Sequence, residues 1–143
     1  MKKVVLSLGS NLGDRELYLD QAISSIQNRV GKVLKKSAVY ETKSWGFDSF
    51  DFLNQVIIIQ TDCMPIELLD ILQDIEKELG RAEKSRMIKG KMNYQPRTID
   101  LDILFYEDLS FKNDRLTIPH PNMGNRDFII KPLKELGINV PLS

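Results

Sequence analysis

Asp100 and Asp102 are the residues of this chain best placed to do chemistry. They stand in the run Pro96-Arg97-Thr98-Ile99-Asp100-Leu101-Asp102-Ile103-Leu104-Phe105. The β-branched and apolar residues around them predict a strand from about Thr98 to Tyr106. Side chains alternate along a strand, so the two aspartates share one face, roughly 6.5–7 Å apart at Cα. Ile99, Leu101, Ile103 and Phe105 then share the opposite face and can pack under helices. Two carboxylates so close repel each other unless a cation compensates. A hard divalent ion does this well, since Mg²⁺ takes one or two protein carboxylates and completes its shell with water and phosphate oxygens. Two solvated acids on an open sheet face would look the same in sequence, and Asp-x-Asp is in itself a common pattern.

The surroundings favour phosphate. Between Arg81 and Arg97 lie six basic residues, Arg81, Lys84, Arg86, Lys89, Lys91 and Arg97, against one acid, Glu83. A solvated surface loop would account for this cluster; so would a mobile basic lid over a polyanion. Arg97 directly precedes the aspartate run and offers a planar fork to a phosphate. No Gly-x-x-x-x-Gly-Lys-Ser/Thr and no Gly-x-Gly-x-x-Gly occurs, so nucleotide binding through those loops is excluded. Gly9-Ser10-Asn11-Leu12-Gly13 reads as a strand-to-helix turn. His120, the lone histidine, sits between Pro119 and Pro121 and has no second histidine with which to hold a metal. Aromatic residues recur near the loops at Trp45, Phe47, Phe50, Phe52, Tyr94 and Phe128. They suit stacking on a flat ligand, although core packing is the default for any one of them.

These groups must be positioned by a small frame. The 143 residues are enough for one domain, 1–143, with a real core; 42% are hydrophobic and 28% charged. Twenty basic residues balance twenty acidic ones, which argues against sequence-independent nucleic-acid binding. Cys63 is the sole cysteine, excluding an internal disulfide and fitting a reducing, cytoplasmic setting. The short apolar run after Met1 lacks the length and cleavage region of a signal peptide, and no segment has the roughly 20 apolar residues that span a bilayer.

Lys3 to Leu8 predicts a buried first strand. Asp14 is a suitable N-cap for a helix whose apolar stripe is Leu19, Ile23, Ile26 and Val30. Lys32 to Thr42 and Asn54 to Thr61 predict two further strands. Pro65 opens a second helix with Leu68, Leu72, Ile75 and Leu79 on its apolar face and Gly80 at its end. With the aspartate strand the order is βαββαβ, an α+β ferredoxin-like arrangement: an antiparallel sheet with both helices on one face, the other open. A short C-terminal helical segment follows. Thr42 to Phe52 and Arg81 to Arg97 are too long to be plain connectors.

Several segments together carry a family resemblance. The run Pro96 to Leu104 resembles the signature of 6-hydroxymethyl-7,8-dihydropterin pyrophosphokinases. Gly9-Ser10-Asn11-Leu12-Gly13, Ser37-Ala38-Val39-Tyr40-Glu41-Thr42, Phe52-Leu53-Asn54, Ile75-Glu76, Gly80-Arg81 and Arg115-Leu116-Thr117-Ile118-Pro119-His120 match in the family's order, as do Asn125-Arg126 and Phe128. The resemblance implies transfer of pyrophosphate from ATP to a pterin hydroxymethyl group, releasing AMP, in folate synthesis. It implies two Mg²⁺ ions on Asp100 and Asp102, with Arg97 completing the catalytic set. ATP would meet Gln73, Glu76, Arg97, Ile103, Arg115, Thr117, His120 and Arg126. The pterin would meet Thr42, Trp45, Gly46, Phe52, Asn54, Tyr94 and Phe128. The chain departs from the family pattern at Ser44, where proline is usual, at Glu83, where a second arginine is frequent, and at Tyr94, where tryptophan is frequent. It also ends soon after Val140-Pro141, short of a C-terminal segment that some members carry.

The expected partners are small molecules, ATP and a reduced pterin, bound by a monomer, with neither nucleic acid nor membrane involved. Competing readings are another Mg²⁺-dependent phosphotransferase, a two-metal nuclease or phosphodiesterase using the same aspartates, and an RNA-binding module on the same fold. The last wants aromatics within the central strands, and Lys3 to Leu8 and Val56 to Ile59 have none.

Overall fold

The structure is a computed structural model. It describes residues 1–11, 13–42, 51–80, 98–121, 123 and 127–138, and the backbone of 87–88 and 91–92. The order of elements is β1 (Lys2–Ser10), α1 (Arg15–Arg29), β2 (Gly31–Lys36), β3 (Tyr40–Thr42), β4 (Phe52–Thr61) and α2 (Pro65–Glu78). Then come β5 (Met87–Ile88), β6 (Lys91–Met92), β7 (Asp100–Tyr106), β8 (Phe111–Lys112), β9 (Thr117–Ile118) and α3 (Asp127–Glu135). The main sheet runs β2-β4-β1-β7, antiparallel throughout, with β3 also paired to β4. That strand order, with a helix after the first strand and another after β4, is the ferredoxin-like fold.

Local chemistry sets the helix ends. The Asp14 carboxylate accepts from the Leu17 N–H at 3.2 Å, capping α1. Gly80, at φ +88°, ends α2 in a conformation that other residues adopt only with strain. Gly31 is required for a different reason: a Cβ there would lie 1.9 Å from the Gln60 carbonyl oxygen.

One face of the sheet is buried by both helices. Leu19, Ala22 and Ile26 of α1 and Leu68, Leu72 and Ile75 of α2 pack on Val4, Leu6, Leu8, Ile57, Ile59, Leu101 and Ile103. Truncating any of these fully buried leucines or isoleucines to alanine would cost about 2–5 kcal/mol.

Five sequence expectations are revised. The segment Lys32 to Thr42 is two strands, β2 and β3, lying end to end along one edge of β4. The break falls at Ser37, whose Oγ accepts from the Val56 N–H at 3.0 Å and whose N–H donates to the Val56 carbonyl at 2.8 Å. β1 continues through Gly9 and Ser10, so the expected turn begins later. The basic stretch holds a short ladder in which Met87 pairs with Met92 and Ile88 with Lys91. In β7, Val5 opposes Phe105 but Leu6 opposes Ile103, leaving Leu104 as an extra residue. This bulge shifts the alternation. Tyr106, rather than Phe105, joins Ile99, Leu101 and Ile103 beneath the helices.

Leu104 and Phe105 belong instead to a second cluster on the opposite face, with Val5, Val56, Met123, Ile129 and Leu133. α3 thus covers part of the face expected to be open. The part that α3 leaves uncovered carries Ser7, Gly9, Phe52, Asn54, Asp100 and Asp102, of which Phe52 and the two aspartates are half-buried and the others buried.

Candidate active site

Three neighbouring strands present this uncovered surface. Asn54 of β4 opposes Gly9 of β1, and Gly9 opposes Asp100 of β7; Ser7 opposes Asp102 in the next facing position. At about 4.8 Å between strands, Asn54 and Asp100 lie roughly 10 Å apart across Gly9. Gly9 adds no side chain of its own to that interval, which Phe52 and Asn54 approach from β4. A Cβ built there would lie 3.5 Å from Asn54 Oδ1 and 3.6 Å from Phe52 Cδ1, so both residues border the gap. Asp100 and Asp102 are half-buried on the same face, as strand alternation requires.

Asn54 is 4% exposed, and its amide is fixed. Nδ2 donates to Thr42 Oγ1 at 2.9 Å and, at a longer 3.4 Å, to the Tyr40 carbonyl. The remaining Oδ1 is turned toward the Gly9 gap, where it can accept from a ligand's polar edge. Phe52 opposes Thr42 on β3, and half-buried Phe128 packs against the α3 cluster. Thr42, Phe52 and Asn54 therefore gather on the β3–β4 side of the aspartates, while Phe128 sits on α3 against the second cluster.

A second group gathers on the outer side of β7. Arg115 Nη2 donates to Asp70 Oδ1 at 2.6 Å and to Gln73 Oε1 at 3.2 Å, joining the β8–β9 turn to α2. That turn is shaped by Asn113, whose Oδ1 accepts from the N–H groups of Arg115 and Leu116 at 2.8 and 2.9 Å. Thr117 follows on β9, and the His120 N–H donates to the Leu104 carbonyl at 3.0 Å, fixing His120 against β7. Two expected nucleotide contacts have buried side chains. Glu76 is 3% exposed and its Oε2 accepts from the Leu101 N–H at 2.8 Å. Ile103 has its side chain in the core at 3% exposure, leaving only its backbone for a ligand. Trp45, Gly46, Tyr94, Arg97 and Arg126 lie outside the described residues.

Sequence reasoning missed Gly9 as the floor of the gap, because its turn signal hid the continuing strand. Among the described residues, no group of three or more His, Cys, Asp or Glu side chains converges as a metal cage. The aspartate pair nonetheless fits a hard cation that draws its other ligands from water and phosphate, since both are carboxylates on one partly exposed face. A groove of about 550 Å³ lined by Asp20, Ser24, Ser25 and Glu78 lies between α1 and α2, on the far side of the sheet; its acids repel a polyphosphate.

Fold and face together define a ferredoxin-like α+β protein with two aspartates side by side on one face of its sheet. Residues 5–138 match the family model of the 7,8-dihydro-6-hydroxymethylpterin-pyrophosphokinases (HPPK), and the chain belongs to that family. The 2-amino-4-hydroxy-6-hydroxymethyldihydropteridine pyrophosphokinase of Porphyromonas gingivalis is 44% identical over 138 residues, covering 95% of this chain and 91% of its own. The enzyme of the same name from Bacillus subtilis is 42% identical over 133 residues, 92% of this chain and 75% of its own. Among solved structures, a Plasmodium falciparum HPPK-DHPS superposes with a TM-score of 0.73 at 17% identity, over 94% of this chain. This chain spans only 40% of that longer protein. The family's members are ATP-dependent pyrophosphokinases, transferases of folate biosynthesis.

Proposed function

We propose that this chain carries out the family reaction on the uncovered half of its sheet, with the pterin on the Asn54 side of the aspartates and ATP on the Arg115 side. The reaction transfers pyrophosphate from ATP to the hydroxymethyl group of 6-hydroxymethyl-7,8-dihydropterin. The hydroxymethyl oxygen bonds to the β-phosphorus, the bond from that phosphorus to the α–β bridging oxygen breaks, and AMP leaves with that oxygen. The hydroxyl proton is lost to solvent or phosphate. The observation that carries the reading is the row Asn54–Gly9–Asp100. It sets a polar acceptor, a position with no side chain of its own and a carboxylate side by side, in that order.

In this reading Asn54 and Thr42 bond the polar edge of the pterin, and Phe52 and Phe128 flank its ring. Trp45, Gly46 and Tyr94 are assigned to the same pocket from the family pattern. Gln73, Arg115, Thr117, His120 and the Ile103 backbone receive the nucleotide with Arg97 and Arg126. Glu76 contributes by holding Leu101 between the aspartates. Asp100 and Asp102 would hold two Mg²⁺ ions, which supply neutralisation of triphosphate charge. What the chain itself contributes is mostly placement, as phosphoryl transfer demands.

Residues 1–143 act in this reading as a single catalytic unit, a monomer in the cytoplasm, with neither nucleic acid nor membrane as partner. The balanced charge supports this, and no helix among the described residues is long and apolar enough to cross a membrane.

Incubation with Mg²⁺, ATP and the reduced hydroxymethylpterin should release AMP in step with pterin diphosphate; ADP in its place overturns the reading. In this reading MgATP binds first, and its triphosphate, held by the basic residues between Arg81 and Arg97, lowers the cost of admitting the pterin. Calorimetric pterin titrations should show higher affinity with a non-hydrolysable MgATP analogue than without it.

A further inference from the structure

We propose that Glu135 is a positioning residue for pterin capture: its carboxylate fastens α3 to β3 and so sets the gap between Phe128 and Asn54. The proposal rests on the pterin-pocket reading above. Glu135 is the last residue of α3 and is exposed. A negative charge there opposes the helix dipole, and an ordered surface glutamate loses side-chain entropy. Helix physics therefore disfavours this residue in this pose. A tertiary contact holds it: Oε1 accepts from the Tyr40 phenol at 2.6 Å, and Oε2 accepts from the Ala38 N–H at 2.9 Å. The Glu135 bond is the main cause raising the Tyr40 phenol pKa above its ordinary value.

Both partners are fixed to the wall that carries Asn54. Tyr40 is the register partner of Asn54, and its carbonyl accepts from the Asn54 amide. Ala38 follows Ser37, which is tied to β4 by its own N–H and hydroxyl and by the Gln55 amide, donating to the Ser37 carbonyl at 2.8 Å. The opposite wall is α3. Phe128 lies seven residues before Glu135 on the same helix, about 10.5 Å away at the ideal rise, with Pro132 between them. Ile129 and Leu133 hold α3 on the sheet by apolar contact, which is not directional. The directional contacts at Glu135 restrict how far α3 slides or turns, and with it where Phe128 stands.

The test uses pterin and ATP KM values for the full-length wild type and for Glu135→Ala, Glu135→Gln, Tyr40→Phe, Phe128→Ala and the Glu135→Ala/Phe128→Ala double variant. Glu135→Ala should raise the pterin KM roughly five- to tenfold, as loss of charge-assisted hydrogen bonds implies, with the ATP KM within about twofold. Glu135→Gln, which keeps one acceptor oxygen, and Tyr40→Phe should fall between it and the wild type. The double variant should have the pterin KM of Phe128→Ala alone, because Glu135 acts through that ring. Equal rises in both KM values, or additive effects in the double variant, overturn the proposal and leave Glu135 a structural tie. So does an unmoved pterin KM in Glu135→Ala when Phe128→Ala raises it. An unmoved pterin KM in Phe128→Ala itself removes the pocket reading, and this proposal with it. Should Glu135→Ala not fold, Tyr40→Phe decides, since it removes only a hydroxyl; an unchanged pterin KM there counts against the proposal.

Discussion

The carboxylate of Glu76 on α2 accepts the backbone N–H of Leu101, the residue between Asp100 and Asp102, at 2.8 Å. Among the described residues β7 is an edge of the main sheet, so its outward N–H groups have no neighbouring strand there to receive them. A buried helical acid takes that place for Leu101, tying the aspartate strand to α2 from beneath.

Glu76→Ala should therefore behave as a stability variant first. It leaves a buried N–H without its acceptor, at a cost of about 1–3 kcal/mol. Chemical denaturation should show that loss, with Glu76→Gln recovering part of it through its amide oxygen. A Glu76→Ala protein as stable as its parent would mean that water replaces the carboxylate.

Asp100→Asn and Asp102→Asn should act in the opposite way. Each keeps the shape of the side chain and removes one of two neighbouring like charges, so the melting temperature should hold or rise slightly. Turnover should fall by about 10²–10³ or more, the usual cost of removing a preorganised electrostatic group. Steady-state rates and thermal melts measured on the same samples check both halves. Activity within a few-fold of the parent would remove the pair from the mechanism.

Gly9→Val tests whether the interval between Asn54 and Asp100 receives a ligand. A Cβ meets its neighbours there only at ordinary contact distances, and valine suits a strand. The fold should survive, while the branched side chain fills the gap and raises the pterin KM by about tenfold or more, with a smaller change for ATP. Equal effects on both substrates would point to general distortion of β1.

Arg97→Ala should lose about 2–4 kcal/mol of transition-state stabilisation, since no lysine reproduces a planar guanidinium fork on phosphate. Alanine at Lys84, Arg86, Lys89 or Lys91 should have modest effects on kcat/KM that shrink at high salt, because clustered charges substitute for one another. Kinetics at two ionic strengths distinguish the two behaviours. A Lys84→Ala or Arg86→Ala defect as deep as that of Arg97→Ala would assign a specific contact to the basic stretch.

Much of this was legible in the sequence because it depends on short-range periodicity. The period of two along β7 puts Asp100 and Asp102 on one side wherever the strand is placed. The helical spacing of Leu68, Leu72 and Ile75 identifies the face of α2 that is buried, and Asp14 marks where α1 begins. The βαββαβ order follows from counting such segments, and the run Pro96 to Leu104, together with the other matching segments in order, pointed to the family.

Other features are decided only when distant segments meet. Leu104 becomes a bulge because β1 pairs with β7 in two registers, and neither strand encodes that slip by itself. β1 runs through Gly9 because Asn54 and Asp100 pair with it from either side, overriding a local turn signal. Ser37 splits a β-competent stretch by bonding to Val56, nineteen residues on. Glu76 turns to Leu101, and Arg115 to Asp70 and Gln73, across separations of 25, 45 and 42 residues. Local propensity is a property of a few neighbouring residues. Register, edge coverage and the choice of acceptor depend on which surfaces the whole chain brings within hydrogen-bonding distance, and here those choices shape the space around Gly9.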